Sequence, residues 1–227
     1  MKGQTTAVTA ILVTGLTIGG VASVYVWGSP ILEKRQGQAT VSNVEGAVNG
    51  LYDEIMDVRE SGEGTLTPYS LSLSGSNTEV RRVEVSPEND YINVTVSVSQ
   101  GAPYADRWTF LQGSSLQNIS IRPDAETGAY AIKGEDQPGV VLAKAEGGAG
   151  SLITYRIEFR NMYAETPSGN RLEKVDLVSA GGTEAAGDTT VRIRNEGVEM
   201  DTGSDAVTLP SGEELNRRRT VISLDLE

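Results

Sequence analysis

The sequence contains no cysteine and no histidine, and aromatic residues make up only 5% of its 227 residues. Without cysteine there can be neither a disulfide scaffold nor a thiol nucleophile, and without histidine the usual zinc and haem ligands and His-based triads are excluded. Sugar sites are usually lined with aromatic rings. The scarcity of aromatic residues in this chain therefore argues against a glycosidase built on paired carboxylates. These absences predict a protein that is not an enzyme and has no cofactor.

Positive charge is also scarce. Lysine and arginine together number 19 against 31 acidic residues, which gives a formal net charge of −12. An acidic surface repels phosphate groups, so we expect no nucleic acid as a partner. An acidic, lysine-poor composition without cysteine fits a salt-loving source, although an ordinary acidic protein can have the same composition.

What the sequence does contain is one long uncharged run from Ala7 to Trp27, AVTAILVTGLTIGGVASVYVW. As a helix it would be about 30 Å long, the thickness of the hydrocarbon core of a bilayer. Tyr25 and Trp27 lie at its downstream end, where aromatic rings prefer the headgroup level. The run predicts a single membrane-spanning helix, with a cleaved secretory signal and a buried core helix as the alternatives.

Within this run, Gly15 and Gly19 stand four residues apart. Small residues at this spacing let two membrane helices approach closely. The pair predicts that the helix packs against copies of itself or against similar subunits, although glycine is common in membrane helices in general.

The residues Lys2-Gly3-Gln4 directly precede the apolar run, and this arrangement resembles the class III signal of archaeal pilins and archaellins. The resemblance covers residues 1–30. It implies cleavage after Gly3, a mature chain that begins at Gln4, and a helix that serves as a membrane anchor and then as the core of a filament. Bacterial type IV pilins carry a glutamate where this chain has Val8, so the resemblance is to the archaeal proteins.

A second helix is predicted after the triplet Gly28-Ser29-Pro30, which should break or kink the chain. The apolar residues of this helix follow each other at steps of three and four, at Val41, Val44, Val48, Leu51, Ile55 and Val58. A stripe this short is more often the inner face of a helix packed on its own domain than a coiled coil. Residues 31–62 are therefore predicted to form an amphipathic stalk, following the anchor of residues 1–30.

The remainder, residues 63–227, has the alternation typical of strands. Strands are predicted at residues 66–73, 80–85, 92–98, 108–111, 130–132, 140–143, 152–159, 172–178, 190–194, 207–209 and 220–226. The Gly/Ala/Thr-rich piece at residues 180–187 is predicted as a loop. The fold class is therefore α+β, a long N-terminal transmembrane or filament-core helix followed by an antiparallel β-sandwich head.

Three polar features of the head have simple interpretations. Asn93 and Asn118 begin Asn-x-Ser/Thr triplets, which allow N-glycosylation if the head is exported. Asp201-Thr202-Gly203 matches the tripeptide of aspartic proteases but lacks the apolar strand before it, so a turn is expected. The basic run 217–219 is expected to guard an exposed sheet edge or to meet the carboxylates of a neighbour.

Together these patterns favour a structural protein of the cell surface, pilin-like or archaellin-like, from an archaeon that is expected to be halophilic. It would be a single-pass protein of the cell membrane with its C-terminal domain outside, or a subunit of an extracellular filament. The expected partners are membrane lipid, copies of the chain or pilin-like subunits, and a surface-layer or envelope protein. One alternative is a non-polymerising accessory protein that resembles the stator proteins of the archaellum, and another is an anchored hydrolase.

Overall fold

The computed structural model describes residues 2–73, 81–98, 103–113, 131–132, 137–147, 151–167, 169–203, 206–208 and 214–227. These residues form one α-helix, α1 (Lys2–Glu60), and a head of β-strands. The strands are β1 (Leu66–Leu71), β2 (Arg81–Ser86), β3 (Tyr91–Val98), β4 (Thr109–Gln112), β5 (Ala131–Ile132), β6 (Gly139–Glu146), β7 (Ser151–Phe159), β8 (Met162–Thr166), β9 (Gly169–Ser179), β10 (Glu184–Ala186), β11 (Thr189–Asp201), β12 (Val207–Thr208) and β13 (Glu214–Leu226).

The helix α1 is 59 residues long and continues through Pro30. The break that the sequence predicts at Gly28-Ser29-Pro30 is therefore not found. Proline removes one backbone donor from a helix, and in a helix of this length the turns on both sides keep the backbone helical. At 1.5 Å per residue the helix is about 90 Å long.

The strands form two sheets. The first sheet has the order β1-β11-β13-β9-β8-β5, with β12 paired to β13, and the second has the order β10-β2-β3-β7-β6-β4. The pairs β13–β9 and β5–β8 are parallel, and the other pairs are antiparallel. The head is thus mostly antiparallel, and the α+β fold predicted from the sequence is confirmed.

The core lies between the two sheets and the second half of α1. That half contacts β1, β11 and β13 of the first sheet and β3, β6 and β7 of the second. Its six stripe residues are at most 5% exposed, and they pack in one cluster with inward residues of both sheets. The helix stripe is therefore packed on its own domain, which was the preferred interpretation of the pattern.

Two strands are missing from the sequence prediction. β8 is short and lies next to the end of β7, and β10 lies inside the segment that was predicted as a loop. Among the described strands, β10 pairs with β2 alone, at the edge of the second sheet. An edge strand of three residues needs no apolar alternation, so the composition of residues 180–187 gave no sign of it.

Candidate functional site

The most unusual surface of the molecule is the first half of α1, which is both apolar and exposed. Leu16 and Trp27 are each 79% exposed, and Ile11 is 73% exposed. The other large apolar side chains of this segment are also exposed, namely Leu12, Val13, Ile18, Val21, Val24, Tyr25, Val26, Ile31 and Leu32. A contiguous apolar surface of this size marks a site of contact with lipid or with another protein. We call residues 11–32 the exposed segment.

The exposed segment has the backbone geometry that a membrane requires. A helix satisfies its own backbone groups, and the hydroxyl of Thr17 donates to the carbonyl of Val13 at 2.7 Å, which satisfies this polar side chain within the helix. Within α1, the part from Ile11 to Glu60 contains an apolar window with a mean hydropathy of 1.6, of which no part is buried. Among the described residues, α1 is the one helix long and apolar enough to cross a membrane.

Gly15 and Gly19 lie within the exposed segment. A Cβ atom added to either residue would meet nothing within 4 Å in the described part of the chain. The glycines therefore serve no packing purpose inside a single chain, and the prediction that they allow close helix packing concerns a second molecule. Gly3 and Gln4, the predicted processing site, lie in the first turn of α1.

Only four residues, 33–36, separate the exposed segment from the part of α1 that is buried in the head. The hydroxyl of Ser29, in the exposed segment, donates to the carboxylate of Glu33 at the start of this junction at 3.2 Å. Lys34 and Arg35 are exposed, whereas Gly37 is already buried and Thr40 donates to the carbonyl of Gln36 at 3.0 Å. The helix therefore passes from the apolar surface into the head within about 6 Å, with no flexible linker.

The head holds its half of α1 by polar contacts to the helix backbone as well as by the apolar stripe. The hydroxyl of Tyr69 on β1 donates to the carbonyl of Ala47 at 2.9 Å, and that of Tyr155 on β7 donates to the carbonyl of Val41. At the end of the helix, the amide of Asn195 donates to the carbonyls of Val58 and Arg59, each at 3.1 Å. The last carbonyls of a helix have no partner within it, so Asn195 caps the helix from the first sheet.

Gly50 has a particular reason to be glycine. A Cβ atom at this position would collide with the hydroxyl of Tyr69. Glycine costs a helix about 1 kcal/mol relative to alanine, but here it lets Tyr69 reach the backbone of the helix. The sequence shows this glycine only as a weak point of the stripe.

Of the two predicted glycosylation positions, Asn93 lies among the described residues and Asn118 does not. Asn93 lies in the middle of β3, on the outward side of the second sheet, and its side-chain oxygen accepts a hydrogen bond of 3.0 Å from Arg156. The guanidinium of Arg156 also lies over the rings of Tyr91 and Trp108, at 4.1 and 4.8 Å from their centres. Asn93 therefore has a structural partner in the folded head. Asn118 lies outside the described residues.

The basic run 217–219 lies in β13, which is placed between β11 and β9 and is not at a sheet edge. The expectation that it guards an edge is wrong, because β13 pairs in parallel with a strand some 40 residues earlier, a pairing that no local pattern reveals. Arg217 and Arg219 bind the carboxylate of Asp201 at 2.8 and 3.1 Å, and Arg219 also binds Asp176 and Glu199. The carboxylates that meet this run belong to the same chain.

Asp201, the aspartate of the Asp-Thr-Gly tripeptide, is the last residue of β11. Burial alone would raise the pKa of this carboxyl, but hydrogen bonds from Arg217 and the charges of Arg217 and Arg219 outweigh burial and lower it. An aspartate fixed by two arginines is a structural ion pair. The backbone at Gly203 has a φ of 63°, a left-handed conformation that suits the turn predicted for this tripeptide.

Two buried acidic groups give no signal in the sequence. Asp90 follows a short 3-10 turn in the left-handed conformation, and its carboxylate accepts hydrogen bonds from Lys174 and from the backbone of Leu177 on β9. Burial raises the pKa of Asp90, and the charge of Lys174 opposes that rise. Because Asp90 leads into β3 while Lys174 lies on β9, the pair joins the two sheets.

The other buried group is Glu158 on β7, which is 1% exposed. Neither carboxylate oxygen has a hydrogen-bond partner in the described part of the chain, and the nearest charge is the guanidinium of Arg156 at 3.8 Å. Burial raises the pKa of Glu158 to about 7, even though Arg156 acts in the opposite direction. In the sequence this glutamate occupies an ordinary outward position of the alternating strand LITYRIEF, so its burial could not be foreseen.

The geometry gives these groups roles in holding the head together. Within the ranges described, no group of three or more acidic residues is placed to hold a metal ion. A cleft of about 500 Å³ lies at the end of α1, lined by residues that include Arg59, Glu63, Asn195 and Arg218. Asn195 there is engaged with the helix end, and Arg218 is 3.8 Å from Glu173.

The fold and the exposed segment together define a class: an α+β protein in which one helix, able to span a membrane by its length and composition, continues into the core of a two-sheet head. The chain belongs to a family of unknown function, DUF7289, whose sequence profile matches residues 2–137. The match includes all of α1 and the strands up to β5. Neither a curated protein nor a solved structure is similar enough to count as a match. The comparisons indicate no pilin or archaellin family, so that resemblance stays a prediction.

Proposed function

We propose that this chain is a structural protein of the cell surface, held through the exposed segment of α1 in a membrane or in a bundle of similar helices. The observation that carries the proposal is the division of one unbroken helix into an exposed apolar half and a half that is buried in the head. A helix that is apolar all round is stable in lipid or among its own copies, whereas in water its surface is unfavourable.

The head is proposed to lie outside the cell, in the envelope of a salt-loving archaeon. The net charge of −12 and the absence of cysteine support an exported, acidic module. The chain has no cysteine of its own. The side of the membrane on which the head lies can therefore be tested with a single cysteine introduced at Thr202, an exposed residue just after β11. A membrane-impermeant maleimide added to intact cells should label Thr202→Cys. Labelling only after the cells are opened would contradict the proposed orientation.

Processing after Gly3 is the second part of the proposal, and it rests on the resemblance of residues 1–30 to archaeal pilins and archaellins. Mass spectrometry of the chain purified from its native membrane should find Gln4 as the first residue. An intact Met1 would instead favour an anchored accessory protein that is never processed for assembly.

Assembly through α1 is the third part, and the open surface at Gly15 and Gly19 supports it. We expect Gly15→Leu with Gly19→Leu to reduce self-association in membranes, because the added side chains keep two helices apart. Thr17→Leu with Val21→Leu is a matched control, since these residues have the same spacing on another side of the helix. Crosslinking in native membranes measures the effect. If both variants lose self-association to the same extent, or if neither loses any, the proposed role of the two glycines is contradicted.

A further inference from the structure

A buried lysine and a buried aspartate are in direct contact between the two sheets of the head. The side chains of Lys174, on β9, and Asp90, just before β3, are only 9% and 8% exposed. Lysine is almost never this buried without a partner, and here its nitrogen contacts the Oδ2 atom of Asp90. A primary amine is therefore held against a carboxyl group and away from bulk water.

The surrounding backbone fixes the carboxyl group of Asp90. This residue has a φ of 50°, a left-handed conformation that is uncommon for a residue other than glycine. Its carbonyl accepts a hydrogen bond of 3.0 Å from the amide of Phe159, and its Oδ1 atom accepts one of 2.9 Å from the amide of Leu177. One carboxyl oxygen is thus held by the backbone, while the other faces Lys174.

The groups around the pair favour the loss of its two charges. Arg219 on β13 lies beside Lys174 in the sheet register, and like charges this close repel each other. Burial raises the pKa of Asp90, which favours the uncharged carboxyl. Asp176 lies 4.0 Å from the lysine nitrogen and also binds Arg219, so it keeps a partner if Lys174 becomes neutral. A neutral product also avoids the cost of keeping two charges out of water.

We propose that Lys174 and Asp90 condense to an intramolecular amide, a covalent bond that joins the two sheets once the head has folded. One proton of the ammonium passes to Oδ2 of Asp90, and the lone pair of the nitrogen attacks the Cγ atom. A second proton then passes from the nitrogen to Oδ2, the bond between Cγ and Oδ2 breaks, and Oδ2 leaves as water. The two groups supply every atom of the amide and the water, so no further reactant is needed.

Two neighbouring groups are placed to assist this reaction. Negative charge develops on Oδ1 of Asp90 during the attack, and the amide of Leu177 already donates to that atom. The carboxylate of Asp176 is placed to relay the second proton from the nitrogen to Oδ2. In the product, Oδ1 becomes the amide oxygen and keeps its hydrogen bond. The inference concerns the head alone and does not depend on the proposed function.

The test is mass spectrometry of the full chain, purified in detergent and then unfolded. We expect the chain to lack the mass of one water molecule. Trypsin does not cleave after a lysine whose amine is part of an amide, so residues 83–107 and 172–192 should appear as one branched peptide. Separate linear peptides with their full masses would overturn the inference. Loss of water within a linear peptide, as from a cyclised aspartate, would overturn it as well.

Two variants locate the bond and test the relay. Lys174→Arg is the matched control, because it keeps the positive charge but lacks the amine, and it should have the full mass. If this variant also lacks one water, the bond does not involve Lys174 and the inference is wrong. Asp176→Asn cannot accept a proton, so we expect a several-fold lower fraction of linked chain at the same time after expression. An unchanged fraction would overturn the role given to Asp176.

Discussion

The two halves of α1 share one backbone but present their apolar residues in opposite ways. In the first half, apolar residues cover all sides of the helix and are exposed, as at Leu16 and Trp27. In the second half they form one narrow stripe, which the two sheets cover completely at Val44, Val48 and Leu51. The difference shows that the head covers the apolar side chains of the second half only. Those of the first half have no cover from any described part of the head, so they need another partner.

The comparison also explains where the polar residues fall. The first half has no charged side chain between Ile11 and Leu32, and its glycines face open space. In the second half none of the charged side chains is buried, and Gly50 faces Tyr69 closely. The same residue type therefore has two different surroundings, an open surface in one half and a close contact with a tyrosine hydroxyl in the other.

The largest expected effect comes from placing charge in the first half. Leu16→Arg with Val21→Arg puts two charges in the middle of the exposed segment, at about 2.5–3.5 kcal/mol each on insertion scales. We expect the chain to lose its association with membranes, while the free energy of unfolding of the head stays unchanged. Membrane flotation and thermal unfolding measure the two quantities. A charged variant that still floats with membranes would contradict the proposal that the first half of α1 is responsible for membrane association.

A smaller effect is expected from a cavity in the second half. Leu51 is fully buried in the core cluster, and Leu51→Ala should lower the free energy of unfolding by about 2–5 kcal/mol. Membrane association should not change, because Leu51 lies outside the exposed segment. Denaturant titration in detergent measures the loss. As a control, Leu16→Ala removes the same atoms from the exposed half and should leave the unfolding midpoint where it is.

A pH-dependent effect is expected at Glu158. Its folded-state pKa is raised to about 7, so folding binds a proton between the ordinary pKa of a glutamate and this value, and the head loses stability as pH rises through that window. Glu158→Gln removes the charge, and we expect it to increase the free energy of unfolding at pH 8 by roughly 1–3 kcal/mol. At pH 4 the gain should vanish. A gain of equal size at both pH values would exclude titration of Glu158 as its source.

The smallest effect is expected at Asp201, whose pKa is lowered by its two arginines. A carboxyl with a lowered pKa contributes stability above its unfolded-state pKa and loses that contribution as the pH falls through its folded-state pKa. Asp201→Asn should therefore cost roughly 0.5–1 kcal/mol at pH 7, a range set by the partial exposure of the arginines, and nothing once the wild-type carboxyl is protonated. Thermal unfolding at pH 7 and pH 2 checks the sign, with Thr202→Ala as a neighbouring control.

The helix and most strands could be predicted from the sequence because their signals are local. The stripe from Val41 to Val58 repeats at helical spacing, and the segment at Ile92–Val98 alternates as a half-buried strand does. The structure confirms both elements, and it confirms that the stripe packs on its own domain.

The remaining features depend on contacts between distant parts of the chain. The central position of β13 follows from parallel pairing with β9, and the burial of Glu158 and the pairing of Asp90 with Lys174 follow from how the sheets are assembled. No spacing within a strand reports such contacts. At Pro30 the predicted break is absent for a different reason, since a proline lowers the stability of one helical turn without fixing where the helix ends.

The place of β13 in the first sheet has a consequence for biosynthesis. This strand follows all the others in chain order, yet it lies between β11 and β9 and supplies Ile222 and Leu224 to the core beneath α1. Such distant pairing is slow to form and leaves apolar strands uncovered until the ribosome has released residues 214–226. The apolar half of α1 precedes the head in the chain and can reach a bilayer before the head is complete. In the orientation proposed above, the head would therefore cross the membrane unfolded and fold only on the outer side.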